Sequence, residues 1–238
     1  VMGSGTDDSL SIGACYSYAN RVGRKVKPLN HLYLGYKIDS NELKKYVKKD
    51  KKYKIIKNPS NKLIAKLLFK GKILGRCKGS MEFGARALGN RSILADPSSA
   101  DTIKKINQKI KSRDFWMPFA PSVLEEDAKK YFKINPNCDY TQMSVCVESL
   151  KGTSKIIPAV LHPADNTARI HLVKKKLNSD YHDLIKSYKK LSGHGVLLNT
   201  SLNLHGKPIA KNAKDCIEIL DNSDIDGIQI ENILFLKN

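Results

Sequence analysis

From about residue 60 onward the chain alternates amphipathic helical segments with short apolar runs, and this alternation limits the fold more than any other feature. Ser60 is placed to cap a helix through Phe69 that carries Leu63, Ile64, Leu67 and Leu68 on one face. Ile73–Cys77 reads as a strand. Ile103, Ile106 and Ile110 recur at helical spacing and predict a helix from near Ser99 to Lys109. Pro118 and Pro121 bias their predecessors away from helix, so 118–123 is expected to be extended. Ser179 opens a helix with Tyr181, Leu184, Ile185, Tyr188 and Leu191 on one face and Gly193 as its terminator. A strand at Gly195–Leu198, a helix from Asn212 to Leu220, and strands at Gly227–Ile230 and Ile233–Leu236 follow. No segment repeats at the period of a solenoid or propeller. The expected fold is therefore a mixed α/β domain.

The 238 residues are ample for one buried core, and 41% hydrophobic with 27% charged residues is ordinary for a folded soluble chain. No apolar run approaches the ~20 residues of a spanning helix, so no membrane partner is expected. The first twenty residues lack a basic stretch followed by an apolar one, and no signal peptide is expected there. Cys15, Cys77, Cys138, Cys146 and Cys216 are scattered and form no CxxC, and the histidines form no close pair. A reducing cytoplasm is the expected location, with no metal site built within this chain.

The charge is the unusual quantity. Lys and Arg total 42 against 23 Asp and Glu, a net +19 that suits polyanions or phosphorylated small molecules. Only Arg21, Arg24, Arg76, Arg86, Arg91, Arg113 and Arg169 are arginines. In a chain that uses Lys for generic surface charge, Arg marks places where a planar, bidentate donor matters, whether for a ligand anion or a structural carboxylate. The densest lysine run, Lys44–Lys57, reads as a solvated helix or linker.

No GxxxxGK[ST] and no GxGxxG after a strand occur, so a phosphate ligand would be held by side chains and isolated amides. Three segments supply such groups. Residues 79–92 carry Arg86 and Arg91 on a short helix-like piece interrupted by Gly79, Gly84 and Gly89, with Glu82 as a possible partner. Lys111 and Arg113 would share a face of an extended chain. Asn199, Ser201 and Asn203, spaced by two, lie where a strand runs into a polar turn, a common ligand position in α/β proteins or simply a self-satisfied turn.

Three of these stretches, EFGARALGNRSILADP, IKSRDFWMPFAPSVLEE and VLLNTSLNLHGKPI, come in the order found in NodU/CmcH-type O-carbamoyltransferases. The chain resembles the C-terminal region of that family over roughly residues 60–238. The resemblance implies a YrdC-like mixed twisted sheet with flanking helices there. Residues 1–27, with Asp7-Asp8-Ser9-Leu10-Ser11-Ile12-Gly13-Ala14, are similar to the end of the family's Kae1-like (ASKHA) N-terminal domain. Residues 28–59 would be a Lys-rich connecting segment, and the rest of the N-terminal domain, with its metal-binding histidines, would lie outside this chain.

The same resemblance implies that the domain binds carbamoyl phosphate and ATP, with Mg2+ accompanying the nucleotide, and forms carbamoyl-adenylate. A Kae1-like domain or separate chain, holding its own metal ion, would pass the carbamoyl group to a hydroxyl acceptor such as a sugar or natural product. Lys111 and Arg113 match the catalytic KxR pair, and Ser201 and Asn203 match the SxN pair. Arg86, Asn90 and Arg91 match FGPRALGNRS; Arg169 fits the GTARxQ strand, with His171 in place of its Gln. Together with Asn199 these form the expected substrate and nucleotide site. Asp7 matches a metal or nucleotide position only if the missing domain is supplied. Ser80 and Met117 stand where the family carries arginines, which leaves an inactive remnant as one alternative. A YrdC-like RNA-binding module is another. Nucleic acid is the less favoured partner, since only Tyr46 and Tyr53 interleave the lysine run.

Overall fold

The computed structural model describes residues 7–47, 52–111 and 117–238. A short 3-10 turn, Asp7–Ser9, leads into α1 (Leu10–Arg21), which is followed by α2 (Ser40–Val47), strand β1 (Tyr53–Lys57), α3 (Asn61–Phe69), β2 (Leu74–Cys77) and β3 (Arg91–Ala95). Next come α4 (Asp101–Ile106), β4 (Ala120–Leu124), α5 (Ala128–Tyr131), β5 (Cys146–Glu148), β6 (Thr167–Arg169) and β7 (His171–Val173). The chain closes with α6 (Ser179–Ser192), β8 (Val196–Ser201), α7 (Ala213–Asp221), β9 (Gly227–Ile230) and β10 (Ile233–Lys237). Among the described residues no helix is long and apolar enough to cross a membrane.

Eight strands form one mixed sheet in the order β1-β10-β9-β2-β3-β8-β4-β7, and β5 and β6 pair separately. Only β2 with β9 and β4 with β7 run parallel in it. One face packs on α3 and α6: Ile64, Ala65 and Leu68 from the first helix, and Tyr181, Leu184, Ile185 and Tyr188 from the second, meet Leu74, Leu94, Leu124 and Leu197. The opposite face sets Ile93, Val123, Leu198 and Ile228 against Ile106 of α4 and Cys216, Ile217 and Leu220 of α7. At roughly 1.5–3 kcal/mol for each large apolar side chain, these two layers hold the sheet together. This is the expected mixed α/β arrangement, a mixed sheet with flanking helices.

Local signals set the helix ends. The Ser60 hydroxyl accepts from the Leu63 amide, and Asn178 caps α6 through the Tyr181 amide. Gly193 closes α6 with φ of 82°, and Asn212 forms a reciprocal capping box with Asp215 at α7.

Three local expectations are corrected. The helix-like piece in 79–92 is an irregular loop followed by β3, because Gly79, Gly84 and Gly89 all take positive φ and break any helix. The helix of 99–109 is shorter: α4 ends at Ile106 and gives way to a π-helical turn, Asn107–Lys111. The lysine run is a solvated helix only at its start, where Lys44 and Lys45 lie exposed on α2; its end is β1, paired antiparallel with β10 from Tyr53↔Lys237 to Lys57↔Ile233. Tyr53 is buried and donates to Asp221, while Lys54 and Lys57 stay exposed on the edge strand, where charge discourages further strand pairing. Lys48–Lys51 lie outside the described residues.

Gly89 shows how tightly sequence is bound to conformation. Its φ is 104°, and a Cβ there would sit 2.3 Å from Tyr181 Cδ1. Gly193 also has positive φ, but a Cβ would meet nothing within 4 Å. Gly89→Ala should therefore cost about 3 kcal/mol or more in urea unfolding, against about 1 kcal/mol for Gly193→Ala. Equal losses would show that the contact with Tyr181 is unimportant.

Candidate functional site

Strand β8 lies between β3 and β4, in register Ser92↔Ser201 and Leu94↔Asn199 on one side and Ala120↔Asn199 on the other. Its end carries Ser201, and Asn203 follows in the turn. The π-helical turn after α4 brings Lys111 to the same place. This wider turn is anchored by buried Ile106 and Ile110, and such turns recur at functional positions.

Lys111 is 1% exposed. Its Nζ donates toward Ser201 O at 2.6 Å, Ser201 Oγ at 3.2 Å, Asn203 O at 3.2 Å and Asn203 Oδ1 at 2.7 Å. Ser201 Oγ donates in turn to Asn203 Oδ1 at 2.6 Å, so the hydroxyl proton is committed and its lone pairs face the ammonium. Asn203 Nδ2 is fixed by the carbonyls of Leu204 and Lys207. His205 Nδ1 donates to the Lys111 carbonyl at 2.7 Å and ties the two segments together. Lys111, Ser201 and Asn203 are thus one hydrogen-bonded group. The turn holding Lys111 is helical rather than extended. Arg113, and Ser112 before it, lie outside the described residues.

Beside this group the 79–90 loop is held by three buried charged side chains. Arg91 is fully buried: Nη1 donates to the carbonyls of Gly79 and Asn90, and Nη2 to that of Tyr36, while Nε is buried without an acceptor. Arg76 donates from Nε to Gly89 O at 2.8 Å, from Nη1 to Gln229 Oε1 at 3.2 Å and from Nη2 to Asp180 Oδ2 at 2.7 Å. Burial pushes the Asp180 carboxyl upward, but Arg76 and Lys78 outweigh it and hold the group below its usual value. Glu82 Oε1 accepts from the amides of Leu88, Asn90 and Arg91 at 2.6, 2.8 and 3.3 Å. Burial raises the Glu82 carboxyl above the ordinary range, against the downward pull of its amides and of Arg91. Asn90 spans the loop, donating to Ser80 O at 2.8 Å and accepting from Asn178 Nδ2 at 2.9 Å. Residues 32–36 add main-chain bonds, Phe83 N to Leu32 O and Gly35 N to Met81 O.

A second polar chain runs beneath the loop. Asn199 Nδ2 donates to Ala87 O and to Ser122 Oγ, each at 2.9 Å, and Ser122 Oγ lies 3.0 Å from His171 Nδ1. Ser122 Oγ thus accepts from Asn199 and shares a second hydrogen bond with His171 Nδ1. Burial drives His171 down to about 3, so the ring is neutral, and it stacks on Tyr181 at 6.1 Å between centroids. Asn199 Oδ1 is buried without a hydrogen-bond partner.

The remaining candidates are dispersed. Arg86 is half-buried in the loop, and Arg169 is exposed on β6, opposite Cys146 in the small sheet. Asp7 is exposed at the start of the 3-10 turn, and the described residues contain no group of three His, Cys, Asp or Glu able to hold a metal. Ser80 contributes its carbonyl to Asn90, and Met117 is exposed. A cavity of about 430 Å³, lined in part by Lys109, Ile110, Leu204 and His205, adjoins the Lys111 turn. A larger one, about 700 Å³, lies around Lys129, Tyr140 and Lys174 and touches none of the candidates.

Sequence reasoning missed Arg76, Ser122 and the clamping part played by Glu82. The scarcity of arginine could have flagged Arg76. Nothing local marks a Ser or Glu whose partners are backbone groups.

A family model described as the carbamoyltransferase C-terminus matches residues 65–237. The chain is 36% identical over 236 residues to the uncharacterised protein MJ1058 of Methanocaldococcus jannaschii, covering 96% of this chain and 38% of that one. It is 39% identical over 170 residues to the nodulation protein NolO of Bradyrhizobium diazoefficiens, with 70% of this chain and 30% of that protein covered. With the 3'-hydroxymethylcephem-O-carbamoyltransferase of Amycolatopsis lactamdurans it shares 32% identity over 160 residues, 67% of this chain and 30% of that enzyme. The chain thus spans well under half the length of each. Among solved structures, full-length HypF in a phosphate- and nucleotide-bound form superposes with a TM-score of 0.52 at 20% identity, covering 78% of this chain and 22% of that one; the likeness is one of fold.

His171 supplies a pH signature. Its value falls from 6.5 to about 3 on burial, so between those limits the unfolded chain takes up a proton that the native chain refuses. Stability should then fall with acidification by up to about 1.4 kcal/mol per pH unit from this residue. His171→Gln should remove close to one proton's worth of that slope in urea unfolding measured from pH 6.5 to pH 4. An unchanged slope would mean that the ring is not held neutral.

Proposed function

This chain belongs to the carbamoyltransferase C-terminal family, and on that premise we propose that it binds carbamoyl phosphate and ATP, the latter with Mg2+, and forms carbamoyl-adenylate. The single observation that carries the reading is the convergence of Lys111, Ser201 and Asn203 into one buried hydrogen-bonded group.

Carbamoyl phosphate gives up its phosphate to water, the carbamate oxygen so formed attacks the α-phosphorus of ATP, and negative charge grows on the oxygens around that phosphorus as pyrophosphate departs. A fixed ammonium in a low-dielectric setting stabilises that charge far better than one in water, because no solvent must reorganise. Lys111 supplies it. Ser201 and Asn203 aim the ammonium and can exchange an acceptor position for a phosphate oxygen. Arg113, two residues on, would complete the KxR pair, and Arg86 would add a planar donor from the loop. Asn90 and Arg91, whose donors go to carbonyls of the loop and of Tyr36, serve by holding that loop in shape. Arg169 would approach the nucleotide from β6. No acid or base is required of these residues, since alignment and neutralisation supply most of the acceleration.

The transfer to a hydroxyl acceptor, such as a sugar or natural product, falls to a Kae1-like domain or partner chain that carries its own metal. Two observations support this division. The chain spans 38% of MJ1058 and 30% of NolO, and α1 leaves Leu10 and Tyr18 about two-thirds exposed.

The decisive assay follows pyrophosphate release from ATP in the presence of carbamoyl phosphate. Lys111→Met and Arg113→Ala are each expected to lower the rate by about 100-fold or more, whereas Lys66→Ala, exposed on α3, should leave it unchanged. Absence of pyrophosphate even with the N-terminal part of a family member supplied would overturn the proposal.

A further inference from the structure

The 82–88 segment is closed by a side chain rather than by secondary structure. Glu82 Oε1 takes the Leu88 amide at 2.6 Å and, beyond it, the Asn90 amide at 2.8 Å and the Arg91 amide at 3.3 Å. Clustered backbone amides of this kind attract anions. Glu82 fills the cluster from within the chain, so a bound phosphate cannot use it. That arrangement is costly in a domain meant to attract polyanions, because a 6% exposed carboxyl sits beside the ligand's expected position and carries a desolvation penalty. Such a group persists where something depends on the geometry it imposes.

That geometry concerns Arg86. The carbonyls on the far side of the segment are also held, Ala87 O by Asn199 Nδ2 and Leu88 O by the Tyr33 hydroxyl, each at 2.9 Å. At the near side Phe83 N bonds to Leu32 O at 2.7 Å. Arg86 lies between these pinned ends, in a stretch whose bend needs a φ of 95° at Gly84. Glu82 collects the amides of Leu88, Asn90 and Arg91, while that of Gly89 goes to Ser92 Oγ.

We infer that Glu82 is a positioning residue for Arg86, fixing the loop conformation in which the guanidinium meets the phosphorylated substrate. The inference rests on the carbamoyl-activating reading above. Glu82 makes no contact with the reacting atoms and acts through Arg86.

A double-mutant cycle on the full chain tests this by steady-state pyrophosphate release with carbamoyl phosphate varied. Glu82→Ala and Arg86→Ala should each raise KM by about 30-fold with kcat within about 3-fold, and the double variant should be no worse than Arg86→Ala alone. Glu82→Gln, which keeps an acceptor oxygen, should stay within about 5-fold of the parent KM. Effects that multiply in the double variant, or a Glu82→Ala that lowers kcat and the melting temperature with KM unchanged, would overturn the inference. If Glu82→Ala does not fold, Glu82→Asp decides: its shorter reach should raise KM, and a parental KM would refute the role. A parent that is active beside a Glu82→Ala with parental KM removes this inference alone. A parent without pyrophosphate release, even with the N-terminal part of a family member supplied, removes the underlying reading and this inference with it.

Discussion

Two guanidinium groups, Arg76 and Arg91, are withdrawn from water at the centre of the sheet, and the loop between β2 and β3 is shaped by that withdrawal. An unpaired cation there would be prohibitive, since stripping its water costs several kcal/mol. Hydrogen bonds to charged donors return about 1.5–3 kcal/mol each, so two or three well-placed acceptors per guanidinium are enough to make burial tolerable. Arg76 finds a carbonyl, an amide oxygen and the Asp180 carboxylate; Arg91 finds three carbonyls. The carbonyls of Gly79, Gly89 and Asn90 can reach these donors only if the chain turns where positive φ is available. Glycine at 79 and 89 follows from that.

The same constraint separates two kinds of basic residue. Lysines such as Lys62 and Lys66 decorate exposed helix faces, whereas Arg76 and Arg91 are interior and their neighbourhoods are built to their planar fork. Among the described lysines, Lys111 is the buried exception. Its single ammonium is gripped by a turn and a strand end, and a point charge with three rotatable protons suits a site where partners must change when a ligand arrives.

Much of this was legible in the residues. The capped helices α3, α6 and α7 announced themselves through Ser60, Gly193 and Asn212, and the strands through their short apolar runs. Lys111, Ser201 and Asn203 were singled out from motif and spacing, and they meet. The rest depended on contacts that leave no local trace. The edge strand β1 looks like a lysine tract because only Tyr53 and the isoleucines face protein, and its partner is at the far end of the sequence. The π-helical turn before Lys111 has the composition of an ordinary helix end. Asn90 and Arg91 bond mainly to main-chain groups of residues distant in sequence or across the loop, so their side chains advertise donors without revealing for whom.

The strand order has a consequence for how the chain comes to be folded. Among the described strands β1 pairs only with β10, and one edge of β2 pairs with β9, so these edges wait for residues 227–237. During synthesis β1 and the outer edge of β2 must stay unpaired until that stretch emerges. Pairings of such long sequence separation form slowly and expose open edges meanwhile. The lysines of β1, which guard its edge in the finished molecule, would then act in time as well as in space, keeping nascent chains apart until the sheet can close.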